Sequence, residues 1–243
     1  MTALGVLYPG HFAEDDYPRI EQLLGSDIRV DLVHTPKDED AYGTDVPRAA
    51  RPVEELTRGA EELRLSGAEA AVWAGSGGGF TAGWDGAHQQ VRALAQAIGM
   101  PASATSFGFV HAVHEIGVRR VAVAATYPDE VTARFADFLR AGGVEVAAAH
   151  NAGCRSAAEA AAWGEPEVLA LARAADTARA EAVLLPDTAL HTASHLMALE
   201  KDLGKPVLTA NQVTVWEGLR LTDRRVNAPD LGALFTREPI VQV

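Results

Sequence analysis

The sequence predicts an α/β fold built from two related parallel-sheet lobes that face each other across a cleft. Two observations predict it. Short, β-compatible apolar runs alternate with stretches of helical spacing along the whole chain, and joining successive strands through helices is solved most economically by parallel sheets. Two stretches about a hundred residues apart also repeat one another. Ala70-Ala71-Val72-Trp73-Ala74 runs into the polar turn Gly75-Ser76-Gly77-Gly78-Gly79, and Ala182-Val183-Leu184-Leu185 runs into Pro186-Asp187-Thr188-Ala189. Each is followed by helical spacing that closes on a Gly-x-Pro, Gly99-Met100-Pro101 and Gly204-Lys205-Pro206. If two such halves face each other, the carboxyl ends of equivalent strands meet in one cleft, where ligands of parallel sheets bind.

Taken in order, Leu4 to Tyr8 reads as a strand, Tyr17 to Leu24 as a helix, Arg29 to His34 as a strand and Pro52 to Ser66 as a helix. Segment 35–51, polar and rich in Asp, Pro and Gly, reads as a loop near the cleft, because regular patterns resume on both sides. After the Ala70 strand come a helix over 84–98, a short strand over 102–105 and a helix over 107–116. The second half starts near Val118: a strand from Arg120 to Thr126, a helix from Pro128 to Ala141, a strand from Val144 to Ala149 and a helix from Glu165 to Ala178. It ends in strand 182–185, helix 188–202, strand 207–209 and helix 212–221. The expected lobes are 1–117 with 208–243, and 118–207. An offset of 111 lays Ala71-Val72 on Ala182-Val183 and one of 105 superposes the two Gly-x-Pro turns, so either Gly75 or Ser76 is the counterpart of Asp187.

Composition narrows the function. With 243 residues, 48% of them hydrophobic and 22% charged, the chain can bury a large core. Its 21 basic and 33 acidic residues give a formal charge of −12, which opposes phosphate backbones and anionic membranes. No apolar run approaches the ~20 residues of a membrane span, and no basic region precedes the first apolar stretch, so the expected location is the cytoplasm. Cys154 is the single cysteine, which rules out an intramolecular disulfide or a cysteine metal cluster.

Asp187 sits between a strand and an expected helix. It serves there as a helix N-cap, or as a proton donor or acceptor if burial beside Leu184 and Leu185 raises its pKa. The Gly75–Gly79 turn with Ser76 is either an anion nest of backbone N–H groups or a tight turn needing positive φ. It matches neither a phosphate loop nor a dinucleotide fingerprint. Tyr127, at a strand end, either aims its hydroxyl into the cleft or packs its ring on a helix. Asp187, His191 and His195 are four apart, a zinc-like spacing if they share a helix, with His11 as the one other candidate at the cleft. Without a further strong ligand the spacing does not predict a metal. Cys154, in a loop with no histidine placed to activate it, reads as structurally ordinary.

These motifs, together with Tyr127-Pro128-Asp129 followed by Val131-Thr132-Ala133-Arg134-Phe135, Leu184-Leu185-Pro186-Asp187-Thr188-Ala189-Leu190, and Asn211-Gln212 with Trp216, resemble the aspartate/glutamate racemase superfamily, and within it the arylmalonate decarboxylase and maleate isomerase branch. The resemblance runs from Gly5 to about Thr222. It implies pseudo-twofold α/β lobes and cofactor-free chemistry beside a carboxylate. The racemases carry two facing cysteines, and the decarboxylase keeps only the second. In this chain the two places hold Gly75 and Asp187, so both family cysteines are replaced. A two-base racemisation is thereby disfavoured, and so is cysteine addition to a double bond. A one-acid decarboxylation through an enediolate-like intermediate fits best. The resemblance implies Asp187, Tyr127 and Ser76 as catalytic residues. It further implies Pro9, Gly10, His11, Gly75, Gly77, Thr188, Ala189 and Asn211 as substrate-binding residues. The alternatives are an isomerase, hydratase or hydrolase with Asp187 as general base, or a non-catalytic carboxylate-binding protein. The expected partner is a small carboxylate, with self-association open and with no cofactor, metal, nucleic acid or membrane.

Overall fold

The computed structural model describes residues 1–25, 27–35, 53–75 and 78–236. The loop expected over 35–51 lies outside them apart from Thr35, as do Pro52, Ser76 and Gly77. The first sheet has strand order β2-β1-β3-β4, from β1 (Thr2–Pro9), β2 (Ile28–Thr35), β3 (Ala70–Trp73) and β4 (Ala102–Ala104). Its helices are α1 (Asp16–Leu24), α2 (Val53–Leu65), α3 (Gly78–Thr81), α4 (Gly83–Ile98) and α5 (Thr105–Glu115). The second sheet repeats the order as β6-β5-β7-β8, from β5 (Arg120–Ala125), β6 (Glu145–Asn151), β7 (Ala182–Leu185) and β8 (Val207–Thr209). Its helices are α6 (Asp129–Ala141), α7 (Ala157–Ala161), α8 (Glu165–Ala175), α9 (Leu196–Leu203) and α10 (Ala210–Leu221). Every strand pair is parallel.

The strand compositions explain this arrangement. β3 and β7 are apolar throughout and buried at every position, as strands covered on both faces must be. Gly5 in β1 lets α2 lie close, since a Cβ there would stand 2.9 Å from Leu63 Cδ1. The repeat is physical as well as sequential. Gly99 ends α4 at φ 65°, ψ 26° and donates its N–H to Ala95 O, and Gly204 ends α9 at φ 65°, ψ 25° and donates to Glu200 O. The following prolines then accept from the central strands: Ala71 N to Pro101 O at 2.9 Å, and Val183 N to Pro206 O at 3.0 Å. Ala71 is therefore the counterpart of Val183, which makes Gly75 the counterpart of Asp187.

One expected helix is corrected. Residues 188–195 are turns, and helix begins at Leu196 with His195 at its N-cap. The cause lies in the first lobe. The buried Asp16 carboxylate accepts Thr192 N at 2.9 Å and Ala193 N at 3.2 Å, while Asp187 Oδ1 accepts Ala189 N at 2.9 Å. Backbone donors that a helix would pair internally are thus taken by carboxylates. The short α7, capped by Ser156 Oγ on Glu159 N at 3.2 Å, was not anticipated, and α8 stops at Ala175 rather than Ala178.

α10 returns from β8 to the first lobe. Ser103 Oγ donates to Glu217 Oε1 at 2.6 Å, and the hydroxyls of Thr105 and Thr214 share a hydrogen bond of 2.6 Å. Gly108 permits the approach, because a Cβ there would meet Val213 Cγ1 at 2.9 Å. Among the described residues no helix is long and apolar enough to cross a membrane.

Candidate active site

The carboxyl ends of the two sheets are tied together by hydrogen bonds. Tyr8, near the end of β1, donates its hydroxyl to Thr188 O at 2.8 Å and accepts Ala13 N at 2.9 Å. Thr188 Oγ1 donates to Ala74 O, just past β3, at 3.0 Å. Ala74, Gly75, Asp187, Thr188, Ala189, Thr126 and Tyr127 are thereby gathered at one junction between the lobes.

Asp187 is 1% exposed. Its Oδ2 accepts the Thr126 hydroxyl and its Oδ1 accepts Ala189 N, so the residue closes an Asx-turn instead of capping a helix. That overturns the capping expectation. The Thr126 hydroxyl suits a proton-exchanging group, because a hydroxyl donates to a carboxylate and can turn to accept from the acid. Tyr127 is fully buried and donates its hydroxyl to Pro186 O at 2.9 Å, which bears on the turn that carries Asp187.

Across the junction, Gly75 has no side chain, and Trp73 occupies the adjoining space. A Cβ on Gly75 would stand 2.7 Å from Cε2 and 2.8 Å from Nε1 of the indole. The site thus has an ionisable side chain at Asp187 and none at the equivalent place.

Around this centre the expected residues divide. Pro9 ends β1, and Gly10 follows at φ 74° with its N–H on Thr35 O at 3.3 Å. His11 is exposed on the same loop. Asn211 is wholly buried, with Nδ2 on Asp16 Oδ2 at 2.9 Å and Leu190 O at 3.3 Å, and Oδ1 accepting the Tyr17 hydroxyl at 3.1 Å. It braces the loop after Asp187. Ser76 and Gly77 lie outside the described residues. The proposed zinc-like trio is not assembled on a helix: His191 Nδ1 lies 3.0 Å from Asp15 Oδ1, and His195 Nδ1 lies 3.2 Å from Glu165 Oε2. Cys154 is buried, and desolvation, with the charges of Glu159 and Asp187, pushes its thiol up to about 11, which leaves it a poor nucleophile at neutral pH.

Sequence reasoning missed Tyr8, Asp16 and Thr126. Burial raises the Asp16 carboxyl above its ordinary value against the pull of Asn211, Thr192 and Ala193, and burial raises the Tyr8 and Tyr17 phenols well above theirs. Tyr8 and Thr126 lie at or just past strand ends and Asp16 at a helix start, positions shared with many structural residues.

Comparison with known proteins agrees with this fold. A family model described as arylmalonate decarboxylase matches residues 49–235. An arylmalonate decarboxylase of Bordetella bronchiseptica is 30% identical over 158 residues, 59% of this chain and 61% of that protein, so the chain spans about three fifths of that relative. A liganded double mutant of arylmalonate decarboxylase superposes with a TM-score of 0.81 at 22% identity, covering 97% of this chain and 99% of the other. A Nocardia farcinica maleate cis-trans isomerase mutant with a covalently bound succinylcysteine intermediate gives 0.87 at 17% identity, covering 98% and 99%. On the match across residues 49–235, the chain belongs to the arylmalonate decarboxylase family.

Proposed function

We propose that the protein is an enzyme that decarboxylates a small malonate-type dicarboxylate without a cofactor, with Asp187 as its acid/base group. The observation that carries the reading is the asymmetry of the junction: a buried Asp187 held by Thr126 on one side, and Gly75 under the Trp73 indole on the other. Loss of carbon dioxide breaks one C–C bond and leaves its electron pair on the α-carbon, delocalised into the remaining carboxylate as an enediolate. Asp187 in its acid form gives a proton to that carbon and regains one from solvent. Backbone N–H groups after β3 and β7, with Ser76, stabilise the enediolate charge, while Tyr127, bonded to Pro186 O, holds the turn that presents Asp187. The arylmalonate decarboxylases among its relatives support this choice of reaction.

A second reading rests on the hydrogen bonds of Asp187. Both its oxygens accept, the arrangement of a general base, which suits α-proton abstraction in an isomerase or activation of water in a hydratase or hydrolase. Proton NMR in deuterated water with malonates, maleate and 2-substituted carboxylic acids separates the two. Loss of carbon dioxide with one deuterium entering the α-carbon, abolished in Asp187→Asn, supports decarboxylation. Deuterium entry or hydration without loss of carbon dioxide supports the base. Unchanged compounds throughout the panel point to a carboxylate-binding protein.

A further inference from the structure

Beside the junction, on the outer side of the β1–α1 loop, His11, Glu14 and His34 each bring one ligand-type atom within 4.8 Å of the others. We propose that these three residues form a binding site for a divalent late first-row cation such as Zn²⁺, Co²⁺, Ni²⁺ or Cu²⁺, which pins the β1–α1 loop to the end of β2. Four features of the cluster argue for it.

His34 Nδ1 lies 2.7 Å from Gly10 O. A carbonyl only accepts, so this nitrogen carries the proton, and in the neutral ring the lone pair is at Nε2. A hydrogen bond from the other ring nitrogen to a backbone carbonyl is the usual way a ligating imidazole is oriented. His11 Nδ1 lies 3.3 Å from Glu14 Oε1. That matches a ligand-to-ligand edge of about 3.3–3.5 Å for bonds of 2.0–2.2 Å in tetrahedral geometry, with the metal replacing the proton between them. Glu14 Oε2 is buried and has no hydrogen-bond partner among the described residues, an acceptor that a cation bound by both carboxylate oxygens would satisfy. Two imidazoles with one carboxylate form a donor set that favours these metals over Mg²⁺ or Ca²⁺.

One adjustment is required. The His11 and His34 rings stack with centroids 3.9 Å apart, and two imidazoles on one tetrahedral metal need about 5 Å. The His11 side chain is 71% exposed and free to swing outward, while His34 is held by Gly10. The alternative is an ordinary His11–Glu14 ion pair stacked on His34. It accounts for the 3.3 Å contact but leaves Glu14 Oε2 unpaired.

The test uses the full chain, treated with chelator and then freed of it, and titrated with Co²⁺ and Zn²⁺ by calorimetry and, for Co²⁺, visible absorption. One equivalent per chain with micromolar or tighter affinity is expected. His11→Ala and His34→Ala should each weaken it by about tenfold or more. His191→Ala, which removes the neighbouring Asp15 pair, should leave it intact. Matching circular dichroism and urea midpoints establish that the variants are folded. In the wild-type chain, the Cu²⁺ electron paramagnetic resonance spectrum should show coupling to two imidazole nitrogens, a readout that needs no variant. Absence of Co²⁺ binding at millimolar metal, unchanged binding in both His variants, loss of binding in His191→Ala, or copper coupled to fewer than two nitrogens would overturn the proposal.

Discussion

At Asp187, two donors decide what the side chain can do. Asp187→Asn keeps an acceptor for Ala189 N and presents an amide to a Thr126 hydroxyl that can turn to accept, so the fold should lose no more than about 1 kcal/mol while turnover vanishes. Urea denaturation beside the NMR assay checks both halves, and full activity in the variant removes Asp187 from the mechanism. Thr126→Val, of similar shape, strips a donor from a buried carboxylate. It should cost about 1–3 kcal/mol and lower kcat, measured by the same denaturation series and by initial rates. Asp187 was legible in the sequence because a Pro-Asp after a buried apolar strand announces a strand-end position. Tyr8 and Asp16 were not, because the groups they bond lie 180 and 176 residues away. Only the folded chain brings Thr188 and Thr192 to them.

Among the elements, the strongest sequence signals were the punctuation marks. Gly99 and Gly204 end α4 and α9 in the same left-handed conformation, with open space where a Cβ would go. Gly99→Ala and Gly204→Ala should therefore each cost about 1 kcal/mol from backbone strain alone, equal within error, as read from urea midpoints. A much larger loss at either site would mean that the two caps are not equivalent. The helix expected over 188–202 failed for a reason periodicity does not carry. Asp16, on α1 of the other lobe, takes the N–H groups of Thr192 and Ala193 and holds the chain in turns until Leu196. The acidic run Glu14-Asp15-Asp16 has the composition of an ordinary helix start, and nothing local marks Asp16 as the residue turned inward.

For the whole molecule, the duplication and the two parallel sheets could be read from the alternation of apolar runs. The way α10 is fastened back onto the first lobe could not. Its anchor is Glu217, fully buried, which accepts from Ser103 Oγ at 2.6 Å and Arg220 Nε at 2.7 Å and lies 3.1 Å from His111 Nδ1. Burial pushes this carboxyl up, but Arg220 and His111 outweigh it and hold the group below its ordinary 4.5. A carboxyl depressed on folding lends stability that is complete above its unfolded value and is lost as pH falls through the folded one. Glu217→Gln should therefore cost about 2 kcal/mol at neutral pH, less than a fully buried pair because Arg220 and His111 are partly exposed, and the gap should close in acid once the pH falls below the depressed folded value. Paired denaturation series at neutral and acid pH check it, and a pH-independent gap would leave the loss to packing. The bonds that join the lobes carry a different consequence. Swinging the lobes apart like a hinge would strand the Tyr8 and Thr188 hydroxyls and the Asp16 carboxylate together. At roughly 1–3 kcal/mol each, that holds the opened form below about one molecule in a hundred. With the two sheets held together in this way, access to the junction comes through local motion at its mouth.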